Sequence, residues 1–194
     1  MAARRVAQFE AEFDVAVSWW PYELHPETPL DGRSVEPLLA QSGRGEAYRE
    51  HLKACAAEAG LPLASNRWLA NSHRALELAE FARDRGRFAE VHEALLRAYF
   101  AEGRNIGEAA VLEELAAASG LDIEEWRLEV LVGRYAQLVD QTTALARQKG
   151  FTSTPTMIFD DRMLVTGAQD EAVYRDVLQR LGATPKEPQH PGIV

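Results

Sequence analysis

The chain has one cysteine, Cys55, among its 194 residues, so neither an intrachain disulfide framework nor a Cys-x-x-Cys redox pair is available within them. The same scarcity removes the cysteine-based zinc sites. The five histidines, His25, His51, His73, His92 and His190, show no spacing with one another or with a carboxylate at i+4 on a shared face that would suggest a site, so no metal is expected. An excess of basic charge is missing as well: 21 Lys and Arg stand against 30 Asp and Glu, a formal net charge of −9. Such a surface does not invite a polyphosphate, which argues against nucleic acid as a partner. No apolar run approaches the ~20 residues a membrane-crossing helix needs. The amino terminus, Met1 to Glu10, carries Arg4 and Arg5 but no apolar signal-peptide core, and the expectation is a cytoplasmic protein without membrane attachment.

The remaining composition, 46% hydrophobic and 26% charged, is that of a folded soluble domain. Val6, Phe9 and Phe13 share one face of a helix over residues 1 to 13. Asp14 to Leu24, with Val15, Val17, Trp19, Trp20 and Tyr22, reads as a strand. A punctuated loop, His25 to Gly32, follows. From about Ser34 to Leu131 every periodic segment is helical. Tyr48, Leu52, Cys55 and Ala59 form one stripe that Gly60 ends, which makes Cys55 an inert core residue rather than a reactive thiol. Asn71-Ser72 caps a helix from Ala75 to Arg85 that stops at Gly86. Further helices are expected over Phe88 to Phe100, Glu108 to Ser119, Ile123 to Val132 and Gly133 to Gly150.

The stretch Thr152 to Gln169 is different in kind. A Ser-Thr-Pro step leads into apolar alternation at Thr156 to Phe159, an Asp160-Asp161-Arg162 turn and a second apolar segment. That pattern predicts a loop feeding a two-stranded hairpin, backed by a helix from Gln169 to Leu181. Pro155, with fixed φ and no N–H, belongs at or just before the first strand residue.

Four colinear segments carry a resemblance that spans nearly the whole chain. They are Trp20-Pro21-Tyr22-Glu23-Leu24-His25-Pro26, Asn71-Ser72, the run from Leu95-Leu96-Arg97-Ala98-Tyr99-Phe100 through Gly107 to Val111-Leu112, and Thr166-Gly167-Ala168-Gln169. Together with the Thr154-Pro155 loop they resemble the DsbA-like thioredoxin-fold oxidoreductases of the FrnE and 2-hydroxychromene-2-carboxylate isomerase group. The resemblance implies an α/β fold, thioredoxin-like with a large all-helical insertion. Residues 1–30 and 133–183 would form the thioredoxin-like domain, 31–132 the helical insertion, and 184–194 a disordered tail.

It further implies that the Thr154–Pro155 bond is cis and that Thr154 offers its backbone to a substrate in a groove between the domains. Asn71 would lie near a bound thiol ligand, although helix capping explains it equally well. Gln169 and the first N–H groups of the last helix would hold the γ-glutamyl carboxylate of glutathione, a co-substrate rather than a resident cofactor. The family's chemistry resides in a Cys-x-x-Cys, or a serine in the isomerases, at the start of the first thioredoxin helix. Here Arg4-Arg5-Val6 occupies the place just after it, so no catalytic residue is assigned and Met1 is expected to be internal to a longer reading frame. The partners implied are disulfide- or dithiol-bearing polypeptides or small molecules, and unpaired strand edges would favour a homodimer. Three activities stay open: thiol–disulfide exchange, glutathione-dependent isomerisation or transfer, and redox-inactive peptide binding.

Overall fold

The computed structural model describes residues 2–37, 40, 50, 53–54, 56–57, 60–64 and 68–186. The stripe of Tyr48, Leu52, Cys55 and Ala59 lies outside them. The chain divides into two compact units, residues 1–20 with 151–194 and residues 21–150. By that division residues 21–30 and 133–150 go with the helical unit.

In the first unit, helix α1 (Ala2–Glu12) buries Val6 and Phe9, and Phe13 follows them into the core, as their spacing predicts. No strand follows. Residues 14–23 have no ladder, whereas the sequence predicts a strand over Asp14 to Leu24. A strand exists only through pairing with a neighbour, and among the described residues the one isolated backbone bridge is Phe13 to Pro185. Asp14 N–H donates to Thr184 C=O and Lys186 N–H to Glu12 C=O, both at 2.8 Å. Residues 184–186 are thereby fixed against the end of α1 instead of starting a free tail.

The hairpin forms as expected. Its strands are numbered β3 (Thr156–Phe159) and β4 (Met163–Thr166), after two short strands of the other unit, β1 (Arg33–Ser34) and β2 (Trp68–Leu69). Strands β3 and β4 pair antiparallel, Thr156 opposite Thr166 and Phe159 opposite Met163. Asp160 and Asp161 both take φ of +51°, the left-handed geometry that matches a tight hairpin turn to strand twist. Alternation puts Met157, Phe159, Met163 and Val165 on the core side and leaves the cross-strand pair Ile158 and Leu164 half exposed. The core is closed by the last helix (Glu171–Arg180), whose Tyr174, Val177 and Leu178 meet Phe9 and Phe13.

Among its described residues the second unit has helices and one antiparallel pair, β1 with β2, which the sequence does not announce because each strand is two residues long. Its helices lying wholly within the described residues are α2 (His73–Arg83), α3 (Phe88–Leu96), α4 (Ala109–Ala118), α5 (Ile123–Val132) and α6 (Arg134–Gln148); the last helix of the first unit is α7. Residues Arg97–Ala101 continue α3 as one π-helical turn. The core gathers Leu78, Phe81, Val91, Leu95, Leu112, Leu115, Trp126 and Tyr135. Phe81 meets Tyr135 edge to face with ring centroids 5.9 Å apart, and Trp126 at 5.3 Å. Helix α6 belongs to this core through Tyr135, which is 2% exposed. The chain therefore stays in the helical unit until Gly150. Among the described residues no helix is long and apolar enough to cross a membrane.

Candidate functional site

The end of the hairpin that carries Pro155 is built from two loops tied to each other. The Thr154–Pro155 bond is cis, as expected. Pro155 C=O accepts the N–H of Gly167 at 2.8 Å, which carries the pairing one step beyond Thr156 and Thr166. Thr156 Oγ1 donates to Ser153 C=O at 2.7 Å and closes the loop on its other side. Thr154 is exposed between these anchors, outside the ladder. Among the described residues its backbone N–H and C=O form no hydrogen bond.

The facing loop, Thr166 to Asp170, is held by Tyr174. The buried ring, 1% exposed, sends its hydroxyl to Gly167 C=O at 3.1 Å and accepts the N–H of Gln169 at 3.1 Å. Gln169 Nε2 donates to Thr166 C=O at 2.8 Å, while Gln169 C=O accepts from the Arg5 guanidinium. Arg5 also lies over the Tyr174 ring, 5.3 Å from its centroid. Thr154, Pro155 and Gln169 are thus placed at one end of one unit. Tyr174 and Arg5 are the supports that sequence reasoning missed. The spacing of Tyr174 with Val177 and Leu178 marks a buried face, but nothing local says that its hydroxyl fixes a loop.

Asn71 lies in the other unit and is 7% exposed. Its Oδ1 accepts the N–H of His73 at 3.0 Å and its Nδ2 donates to Thr28 C=O at 2.7 Å. Both ends of the amide are engaged, the capping arrangement expected for the start of α2. Ser72 makes no side-chain cap.

A cleft of about 310 Å³ on the helical unit is lined by Glu80, Asp84, Arg134, Tyr135, Gln137, Leu138 and Gln141. Its charges are already matched: Arg134 and Tyr135 bond to Asp84, and Arg83 grips Glu80 through two bonds of 2.9 and 3.0 Å. Among the described residues no group of three His, Cys, Asp or Glu side chains is arranged to hold a metal ion. Among the described residues the Thr154 backbone beside Pro155 is exposed and unpaired, and an extended backbone is what such groups pair with.

A hairpin entered through a cis proline and closed by a helix lies in one unit, and the other unit is largely helical among the described residues. The chain belongs to the DSBA-like thioredoxin domain family, whose model matches residues 1–179. It is 25% identical over 170 residues to the uncharacterised protein YwbO of Bacillus subtilis, covering 85% of this chain and 82% of that one. The crystal structure of a probable DsbA oxidoreductase from Streptomyces coelicolor superposes with a TM-score of 0.81 at 28% identity, over 100% of this chain and 86% of that chain. A Nitrosomonas europaea structure shares the fold at 15% identity, with a TM-score of 0.56 over 72% of this chain and 76% of its own.

Proposed function

We propose that this chain serves thiol–disulfide exchange on polypeptide or small-molecule disulfides, with residues 153–156 holding the substrate backbone. The observation that carries this reading is the unpaired Thr154 backbone, exposed beside Pro155 and braced by Gly167. An extended chain laid there gains main-chain hydrogen bonds on a strand end that is already fixed, so little ordering entropy opposes binding. Exchange itself needs a thiolate that attacks one sulfur of the substrate disulfide, forms a mixed disulfide and expels the other sulfur as thiolate; a second thiol then attacks the mixed disulfide. With Cys55 as their sole thiol, these 194 residues do not supply both sulfurs. They act as the substrate-holding part of the reaction. The glutathione-dependent isomerase reading is weakened by Asn71, whose amide is spent within the helical unit.

The test is an NMR titration of the 194-residue protein with an extended disulfide-bearing peptide and, separately, with oxidised glutathione. Shifts concentrated in residues 152–156 and 166–169 are expected with the peptide. Insulin reduction by the chain alone should stay at background. Peptide shifts confined to other residues would overturn the assignment of the loop, and turnover abolished by Cys55→Ser would overturn the substrate-holding role.

A further inference from the structure

Glu23 and Glu77 are buried carboxylates, 4% exposed each, that face a single imidazole. His73 Nδ1 lies 3.0 Å from Glu23 Oε2, and His73 Nε2 lies 3.7 Å from Glu77 Oε1. Glu77 stands one turn along α2 from His73, whereas Glu23 comes from the segment that opens the helical unit. That segment is held at three further points: Glu23 N–H donates to Thr143 Oγ1 at 3.0 Å, Leu24 C=O accepts from Arg147 at 3.2 Å, and Thr28 C=O accepts from Asn71. Glu23 Oε1 and Thr28 Oγ1 are buried with no hydrogen-bond partner among the described residues.

Glu23 Oε2 is within hydrogen-bond reach of Nδ1, while Glu77 Oε1 at 3.7 Å is an ion-pair contact of Nε2 and not a hydrogen bond; each oxygen is best met by an N–H. An imidazolium supplies both. A neutral imidazole supplies one, and the other nitrogen turns its lone pair on a carboxylate unless that carboxylate takes up a proton. Once the three groups have lost that second proton, two buried negative charges share one neutral ring, an arrangement that burial makes expensive. The other charges around the cluster do not rescue it. Arg74 on α2 and Asp140 on α6 act on Glu77 with opposite signs; Arg147 is directed to a backbone carbonyl; His25 is paired with Glu27.

We propose that Glu23, His73 and Glu77 form a proton-controlled clasp: while the cluster keeps two shared protons, residues 21–28 are fastened to α2 and α6, and loss of one releases them. Because the protons sit among three titratable side chains that also tie residues 21–28 to α2, the clasp works as a local switch. Burial holds the Glu77 carboxyl above its ordinary range, which favours its keeping a proton.

The experiment follows the Glu23 amide by hydrogen exchange, corrected for intrinsic rate, alongside the His73 imidazole chemical shifts over the same pH series. Val91 serves as the core reference. Glu23 protection should fall at least tenfold as the cluster deprotonates, with a midpoint that coincides with the His73 shift change, while Val91 stays protected. Glu77→Gln removes the charge facing Nε2, so a neutral ring no longer leaves two buried carboxylates and the pH dependence should flatten. Glu23 protection that is flat through the His73 transition, or that falls together with Val91, overturns the proposal; so does an unchanged slope in Glu77→Gln. Should that variant not fold, the coincidence of the two wild-type midpoints decides.

Discussion

Gly167 donates its N–H to Pro155 C=O at 2.8 Å with its own φ at +74°, so the bond that braces the proline loop depends on a left-handed residue. A Cβ built on Gly167 meets nothing nearer than Gln169 Nε2 at 3.7 Å, which is ordinary contact. The only penalty for alanine there is backbone conformation, about 1–2 kcal/mol. Gly32 has a similar φ, +81°, but its Cβ would lie 2.1 Å from Trp68 Nε1 and 2.7 Å from Leu69 C=O. Overpacking of about 1–3 kcal/mol then adds to the conformational term. Urea denaturation should therefore rank Gly32→Ala as the more damaging of the two. Equal losses would mean that the contact between Gly32 and Trp68 yields without resistance.

Tyr174→Phe removes one hydroxyl and two hydrogen bonds while keeping the buried ring against Phe9, whose centroid is 6.0 Å away. The expected loss is about 1–3 kcal/mol. If residues 166–169 help hold substrate, peptide affinity should fall beyond what the small population of unfolded protein explains. The two effects separate in a titration well below the melting temperature. A stability loss with unchanged peptide affinity would leave Tyr174 a core residue only.

What the sequence makes legible follows the range of the interaction. The helix faces of Val6, Phe9 and Phe13, the Asp160-Asp161 turn and the proline at the mouth of β3 are written in neighbouring residues, and they fold as read. Asp14 to Leu24 has strand composition but no strand, because pairing depends on a partner that composition does not specify. Tyr174 with Gly167, and Glu23 with Thr143 at a separation of 120 residues, are equally invisible locally. Asn71 is instructive in the other direction. Its capping role was readable from position alone, and that role occupies its side chain.

Arg85 joins three elements of the helical unit: its guanidinium bonds to Glu125, to Phe81 C=O and to Tyr135 Oη, and stacks 3.5 Å from the Phe81 ring centroid. Lysine keeps the charge but not the planar fork or the stacking surface. Arg85→Lys should cost about 1–2 kcal/mol, combining a lost charge-assisted bond with a weakened cation–π contact. The exposed ion pair of Arg127 with Glu113 and Glu124 provides the contrast; Arg127→Lys should shift stability far less than Arg85→Lys. Thermal melts of the two variants check the ranking, and a loss at Arg127 equal to that at Arg85 would contradict it.

Glu77 gives a pH-dependent prediction whose sign is fixed by its surroundings. Burial raises its carboxyl above the ordinary range, His73 and Arg74 partly offset that, and Asp140 and Glu23 push it further up. The folded protein therefore holds the Glu77 proton more tightly than the unfolded chain, where a glutamate titrates near about 4.3. The stability linked to that proton is fully present below the unfolded value and is lost as pH rises through the raised folded value. Wherever Glu77 is ionised, its buried charge works against the fold despite its contact with His73. Glu77→Gln, nearly the same shape and uncharged at every pH, should melt higher than wild type at pH 7, with the difference shrinking as the pH is lowered toward about 4. Melting curves across that range decide the matter: a variant less stable than wild type at pH 7 would mean that the ion pair with His73 outweighs the burial of the carboxylate.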